Sequence, residues 1–411
     1  MKILYIVHQF MPEYVGGTEQ DTWEVAKRMH ARGHKVAIVH RAPGDGGVIP
    51  TQWEGVQVYR IEAGSMDVWS LFMTTFGHPL ILRQLKRVFL EFQPDLVHFQ
   101  HLRGLPPHFV KWINEQDCPV GFSLRDFWFI CPNAQLLDYE TGELCKTPGK
   151  PIHCARCGLI RVGLSSLLPM ASCLAPIMAH RNRVLRKAMQ QADALFTYSK
   201  FVKKWYAEQG IDEDHLHYVP RGIPRPVTSP VADHDDRRVR FVYIGGLSWQ
   251  KGVHVLIEAF NELSDHVELL IAGDETRYVD YVRALREMAH HPGVKFLGRI
   301  DRDTVWRTLA AADAVVVPSL WYETFSMLTR EAFAMHLPVI ASNHGALAEA
   351  VTHEVDGLLV TPGNVVAWRK AMQGFAESAA LQAHLRANVT PPLTMREYLD
   401  NIEEHYRKLC H

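Results

Sequence analysis

The chain has 411 residues, enough for about two domains, and its 47% hydrophobic and 22% charged residues are the balance of a folded globular protein. With 44 Lys and Arg against 45 Asp and Glu, the net charge of -1 excludes nucleic-acid binding driven by bulk electrostatics. No apolar run is long and clean enough for a transmembrane helix, and Met1–Val7 is too short for a signal-peptide core, so a cytoplasmic protein is expected.

The chain opens with a strand over residues 2–7, a loop carrying Gly16 and Gly17, and a helix to about Arg32 whose inward face holds Trp23, Ala26 and Met29. The next strand covers residues 35–40. Strand, glycine loop, helix, strand is the start of a doubly wound α/β domain, which binds ligands at the carboxyl ends of its strands. Adjacent glycines let the backbone approach a diphosphate, and a plain turn is the alternative. Residues 94–101 form a strand with a polar end at His101, and residues 119–124 form another, ending at Arg125 and Asp126. His101 is either a cleft residue or a structural histidine.

Cys131, Cys145, Cys154 and Cys157 follow, spaced Cys-x13-Cys-x8-Cys-x2-Cys in a segment rich in Gly, Pro and Lys. The Cys-x2-Cys pair sets two thiolates on one turn, and two more complete a tetrahedron, so a structural zinc site is expected. An iron–sulfur cluster uses the same ligands and stays open; His153 is a competing ligand, and Cys118, Cys173 and Cys410 stand outside the set. Residues 162–180 carry no formal charge and are followed by Arg181, Arg183, Arg186 and Lys187. Pro169 and Pro176 interrupt any spanning helix. The stretch is either a patch resting on an anionic membrane, at the inner face, or a helical insertion packed on the domain.

A strand at 194–198 and a helix from Ser199-Lys200 lead to a proline-rich linker at 224–238. The second α/β half begins with a strand at 239–244 and the loop Gly245-Gly246-Leu247-Ser248-Trp249-Gln250-Lys251-Gly252. Strands at 267–272, 294–297 and 314–317 alternate with helices. The last of these ends in Pro318-Ser319, and a loop with Glu323 leads into a helix whose second turn carries Glu331. The unpaired N–H groups at that helix start, over Thr324, Phe325, Ser326 and Met327, form an anion site. Glu323 and Glu331 are eight residues apart, about 12 Å of helical rise, so one ligand touches both only if it is extended and polar at each end. A nucleotide-sugar fits that description.

The Glu-x7-Glu spacing after a Pro-Ser strand end, followed by residues 332–341 and Gly357-Leu358-Leu359-Val360-Thr361-Pro362-Gly363, resembles the retaining GT-B glycosyltransferases of family 4. The resemblance covers most of the chain and is most specific in the carboxyl-terminal half. It implies two facing doubly wound Rossmann-like α/β domains, with the site in the cleft and a last helix, about 394–409, crossing back to the first. The expected boundaries are 1–222 with 393–411 for the acceptor-side domain, including a cysteine-rich insertion at about 128–190, and 223–392 for the donor domain.

The resemblance also assigns roles. Lys251 and the glycine loop meet the diphosphate, Glu323 the sugar hydroxyls and Glu331 the ribose. Arg299, after the strand at 294–297, lies where the base is held, and His344-Gly345-Ala346 closes the phosphate site. Gly16 and Gly17 meet donor phosphate or acceptor. Two positions depart from the family pattern: Arg125 stands where His precedes Asp126, and Gly246 where Arg is usual. Arg cannot act as a base but clamps anions, so Arg125 and Asp126 are expected to hold the acceptor. The implied function is retaining transfer of a hexosyl group from a UDP- or GDP-sugar to a saccharide or lipid-linked acceptor in cell-surface glycan synthesis. A sugar-nucleotide epimerase of the same fold and a non-catalytic binding scaffold are the alternatives. No catalytic divalent metal is expected, because the Asp-x-Asp strings at 212–214, 233–235 and 301–303 read as turns and caps.

Overall fold

The computed structural model describes residues 1–224 and 238–411, so the expected linker, with its Asp233–Asp235 string, lies outside the described residues except at its ends. The chain forms two compact units. One comprises Met1–Tyr198, Val202–Pro220 and Leu399–His411, the other Ser199–Phe201 and Arg221–Tyr398. Among the described residues no helix is long and apolar enough to cross a membrane.

The first unit is built on strands β1 (Lys2–Val7), β2 (Lys35–Ala42), β3 (Gly44–Trp53), β4 (Val56–Gly64), β5 (Leu96–Phe99), β6 (Val120–Ser123), β7 (Ala194–Thr197) and β8 (Leu216–Tyr218), in the order β3-β4-β2-β1-β5-β6-β7-β8. All neighbours pair in parallel except β3 with β4. The central strands are apolar runs buried along their length, as parallel strands covered by helices must be. The β3–β4 hairpin turns through Glu54 and Gly55, both with positive φ (43° and 85°), which matches the twist of the strands it joins. Sequence reading gives no strand there, because β3 is mostly exposed and lacks a buried face to impose a period.

The helix Gly17–Ala31 buries Thr22, Val25, Ala26 and Met29, three and four residues apart. Trp23, expected on that face, lies a third of a turn away, half-buried and edge-on to Trp53. The last helix, Met395–Leu409, starts from a reciprocal cap in which Glu397 accepts the Thr394 N–H (2.7 Å) and Thr394 Oγ1 accepts that of Glu397 (3.3 Å). Its buried Ile402 and Tyr406, with Glu403 bonded to Arg32 (3.0 Å), tie it to the first unit's sheet and first helix.

The insertion in this unit holds the helices Pro151–Arg161 and Ala171–Gln190, joined by a 3-10 turn, Ser165–Met170. Pro176 does not stop the second helix, which runs on for 20 residues in all. Leu168, Leu174 and Met178 pack on a small core of Ala155, Leu159 and Ala171. Val162, Leu164, Leu167, Met170 and Ile177 remain exposed, so the uncharged stretch is a packed insertion with an apolar outer side.

Among the described residues the second unit has six parallel strands, β9 (Val239–Ile244), β10 (Val267–Ala272), β11 (Val294–Gly298), β12 (Ala314–Val317), β13 (Val339–Ser342) and β14 (Gly357–Val360). Their order is β11-β10-β9-β12-β13-β14, so the direction of winding reverses between β9 and β12. The carboxyl ends of the two strands at such a reversal are the place where sheets of this kind bind ligands. Phe241, Phe260, Ile271, Trp368 and Phe375 form the core beneath it.

Candidate active site

The loops after β9 and β12 carry the residues picked from the sequence, and the backbone locks them together. Leu320 N–H donates to the Gln250 carbonyl at 2.8 Å. Gly252 has φ of +72°, and a Cβ there would lie 2.0 Å from the Pro318 carbonyl oxygen, so only glycine lets the loops approach this closely. Lys251, on the 3-10 turn Trp249–Lys251, thereby places Nζ 2.8 Å from Glu323 Oε1. The same oxygen accepts from Ser319 Oγ (2.7 Å) and Trp321 Nε1 (3.1 Å). Among the described residues, no donor reaches Oε2. Burial pushes the Glu323 carboxyl up, but Lys251 and the two neutral donors outweigh it and hold the group below its ordinary value. His344 Nε2 donates to the Ser319 carbonyl (2.9 Å), and Ala346 N–H donates to that of Glu323 (3.2 Å), so the loop after β13 braces the same turn.

The helix that follows is Met327–Ala334, entered through Ser326 with φ of +59°. Thr324, Phe325 and Ser326 precede the helix, so Met327 alone of the expected start is helical. Ser326 Oγ bonds Thr329 Oγ1 (2.8 Å), and no side-chain cap closes this helix end among the described residues. Glu331, in the second turn as expected, is buried and pairs with Arg302 Nη1 at 2.6 Å. Burial raises its carboxyl above the usual range, against the pull of Arg302 and Arg221. Arg299 is exposed after the edge strand β11, two strands from β9. Gly246 has open space around its Cα, while its carbonyl accepts Tyr243 Oη at 2.8 Å.

In the first unit, the polar groups collect at the carboxyl ends of β1, β5 and β6. His101 Nδ1 accepts the Arg103 N–H (3.0 Å), so its proton sits on Nε2 and is donated to Asp126 Oδ2 (3.1 Å). Asp126 Oδ1 takes the Trp128 N–H (2.8 Å), and although burial raises this carboxyl, His101 and that bond hold it below its ordinary value. His8, at the end of β1, lies over His101 with ring centroids 4.6 Å apart. Burial, with His101, Arg103 and Arg125 nearby, keeps it neutral, and its Nδ1 has no partner among the described residues.

Arg125 is placed differently from the expectation. It is buried, ion-paired with Asp21, bonded to Gln100 Oε1, and laid over the Tyr198 ring. A guanidinium so engaged organises the site floor and is not presented to an acceptor; Asp21, four residues into the first helix, is the carboxylate that draws it in. The Gly16 N–H is likewise taken, by Glu19 Oε2 at 2.8 Å, while Gly17 begins the helix. Glu19 thus supplies the anion that the sequence reading reserved for a ligand.

The Glycosyltransferase Family 4 profile matches residues 15–225, half of the chain, and the Glycosyl transferases group 1 profile matches residues 238–378. The chain belongs to glycosyltransferase family 4. This glycosyltransferase is 24% identical over 408 residues to glycogen synthase of Mycobacterium tuberculosis, covering 94% of the chain and 89% of that protein. In fold it matches sucrose-phosphate synthase from Thermosynechococcus elongatus with a TM-score of 0.73 and 19% identity, over 100% of this chain and 99% of that one. It also matches Anabaena HepE in complex with UDP and glucose (TM-score 0.69, 19% identity), over 99% of this chain and 100% of that one. Two Rossmann-like sheets and these neighbours establish the GT-B fold.

Within the glycosyltransferase, Cys131, Cys145, Cys154 and Cys157 come to one place, lining a small enclosed space with His153. All are free thiols. The expected metal arrangement is not formed: among the described residues no three Cys, His, Asp or Glu side chains stand in metal-holding geometry.

Sequence reasoning missed Ser319, Trp321, Arg302, His8 and Asp21. Ser319 and Trp321 sit in the quoted motif, four and two residues before Glu323, a spacing that lets both reach one carboxylate. Arg302 was hidden inside an Asp-x-Asp string, and its partner Glu331 comes from another helix.

Proposed function

We propose that the chain transfers a hexosyl group from a nucleotide-sugar, UDP- or GDP-linked, to a saccharide or lipid-linked acceptor, with retention at the anomeric carbon, in cell-surface glycan synthesis. The observation that carries this reading is Glu323: one carboxylate oxygen fixed by three donors, the other left for ligand hydroxyls, and a lysine alongside. The bond from the anomeric carbon to the diphosphate breaks and a bond to the acceptor oxygen forms on the same face. Lys251 and the start of the helix Met327–Ala334 stabilise the charge growing on the leaving diphosphate. Glu323 Oε2 orients the sugar hydroxyls, Glu331 takes the ribose, and Asp126 with His101 holds the acceptor hydroxyl. The departing phosphate oxygen receives the acceptor proton, so no separate base is assigned.

The reaction runs without a catalytic divalent cation in this proposal. A metal clamp needs carboxylates aimed at the diphosphate, whereas Asp301 caps the helix Arg302–Ala310 by accepting the Thr304 N–H (2.7 Å) and Asp212 caps the turn Glu213–His215. The exposed Val162, Leu164, Leu167, Met170 and Ile177, with exposed Arg183 and Lys187 following, suit contact with an anionic membrane where a lipid-linked acceptor would reside. Flotation with vesicles containing anionic lipid, but not with neutral vesicles, is the expected behaviour.

The decisive experiment is a thermal-shift screen of UDP-, GDP-, ADP- and dTDP-sugars, followed by NMR of the product anomer. Stabilisation by one donor and a product of unchanged anomeric configuration are expected. Turnover of the donor without acceptor would instead favour an epimerase, and binding with no turnover a scaffold.

A further inference from the structure

The insertion between β6 and the helix Pro151–Arg161 is poorly provided with ordinary means of staying folded. From Cys131 to Lys150 there is no helix and no strand beyond one isolated bridge, Leu137 with Leu144. The neighbouring core is three residues, Ala155, Leu159 and Ala171. Ala134 and Leu136 both hold positive φ, 65° and 53°, a strained conformation at a non-glycine residue that persists only where something else fixes the chain. Small segments of this kind are ordered by a cross-link or a metal.

Four thiols are gathered where such a fixing point would be. Cys154 and Cys157 lie on successive turns of the helix Pro151–Arg161, three apart and on one face, and both are buried with Cys131. Cys145 comes in from the loop, its N–H bonded to the Leu136 carbonyl (2.7 Å). The space they line is about 10 Å³. That holds about one small atom, so it suits a single ion.

Donors also reach one of the sulfurs. Cys157 Sγ accepts from the buried Asn133 Nδ2 at 3.0 Å and from the Tyr139 N–H at 3.4 Å. Amide donors aimed at sulfur are what a metal-bound thiolate takes up. Arg181, 1% exposed, stacks on Trp128 and donates to the Trp128 carbonyl and Asn182 Oδ1. No carboxylate pairs with it among the described residues, and the foremost groups of potential negative charge acting on it are Cys131 and Cys154. A buried guanidinium with no direct ion-pair partner among the described residues, and Asp126 acting on it only behind the two cysteines, is costly. Four thiolates around a divalent ion carry a charge of -2, which Arg181 partly offsets.

We propose that Cys131, Cys145, Cys154 and Cys157 bind one zinc ion that orders the insertion. His153, whose Nε2 is 3.6 Å from both Cys145 Sγ and Asp138 Oδ2, supports the site from outside the four ligands. Zinc at about 2.3 Å from each sulfur draws the thiolates into a tetrahedron with no open position, so the ion is structural and takes no part in transfer. Ligation displaces the four thiol protons to solvent.

The test uses the full chain, purified without chelator. Elemental analysis should give one zinc per chain, and titrating the thiols with an organomercurial should release it in step, read with a chromophoric chelator. Chain reconstituted with Co²⁺ alone should show the visible bands of a tetrahedral tetrathiolate, a signature independent of activity and of any variant. Cys154→Ser and Cys145→Ser should each lower zinc affinity at least tenfold; Cys118→Ser and Cys173→Ser should keep one equivalent, and His153→Ala should keep it with weaker binding. If the serine variants do not fold, the Co²⁺ spectrum of the unaltered chain decides. Less than a tenth of an equivalent after reconstitution with ZnCl₂ under reducing conditions, a Co²⁺ spectrum lacking thiolate bands, or iron with inorganic sulfide would each overturn the proposal.

Discussion

Replacing Lys251 by Met keeps most of the side-chain stem and removes the charge, which isolates the electrostatics of the donor loops. The ammonium stands 2.8 Å from a nearly buried carboxylate oxygen. At an effective dielectric of about 20, two charges at that separation attract by about 6 kcal/mol. Desolvation of both ions takes back most of this, and Ser319 and Trp321 still bond Glu323 in the variant, so a net loss of about 2 kcal/mol is expected. For a cooperative unit of about 150–250 residues that is a fall of about 4–8 °C in Tm. The loss carries a pH signature. Glu323 is held below its ordinary 4.5 because Lys251 outweighs burial, so the pair stabilises the fold above pH 4.5 and its contribution disappears as pH falls through the lowered value. Calorimetric melts of the two proteins should therefore differ fully at pH 7 and converge in acid, as pH falls below 4.5 through the lowered value. Adding Glu323→Gln to the variant should recover part of the loss at pH 7 by removing the stranded charge. A gap of the same size at pH 7 and in acid, or no relief from the second substitution, would refute the reasoning. In the proposed reaction the same variant should lose about 10²–10³ in kcat, the loss typical of one donor to the developing charge.

Glu331→Gln should weaken nucleotide-sugar binding about tenfold with kcat largely kept, whereas Glu323→Gln should lower kcat with binding largely kept; wild-type kinetics in both removes the assignment. Because burial raises the Glu331 carboxyl, ionising it costs stability as pH rises through the folded value, so the Gln variant should gain on the wild type at pH 7 and not at pH 4, by thermal melts. Gly252→Ala should destabilise the second unit by about 3 kcal/mol or more, since its Cβ meets the Pro318 carbonyl at a positive φ; denaturant titration showing under about 1 kcal/mol counts against the loop contact. Gly246→Arg enters open space, and a new charge-assisted bond to the diphosphate should tighten UDP or GDP binding about tenfold, measured by calorimetry; unchanged or weaker binding rejects that loop as the diphosphate cradle. Transfer should survive dialysis against a mild chelator that leaves the cysteine site loaded, and loss restored by Mg²⁺ or Mn²⁺ alone would show a catalytic cation.

The uneven legibility of the chain follows from how local each feature is. The strand beginning at Val315, the Pro-Ser stop and the helix with Glu331 in its second turn are written in consecutive residues, where apolar runs and helix starts act within a few positions. The β3–β4 hairpin was illegible because its outer strand has little to bury, and only its pairing with β4 holds it. Trp23 went astray for a similar reason: helical period marks a face, but which residues along its border turn inward depends on what packs there.

The sequence by itself determined the two α/β halves and the family pattern, and it singled out Lys251, Glu323, Glu331, His101 and Asp126 as candidates, because short-range order and motif spacing need no knowledge of distant partners. Only the tertiary structure decided what each side chain faces. It joined Lys251 to Glu323 through Gly252 packed on Pro318, gave Glu331 to Arg302, and turned Arg125 inward to Asp21. Each of those pairings joins residues dozens of positions or a separate element apart. A charge selects its partner by distance and burial, and both are set only when the sheet order brings the strand ends together.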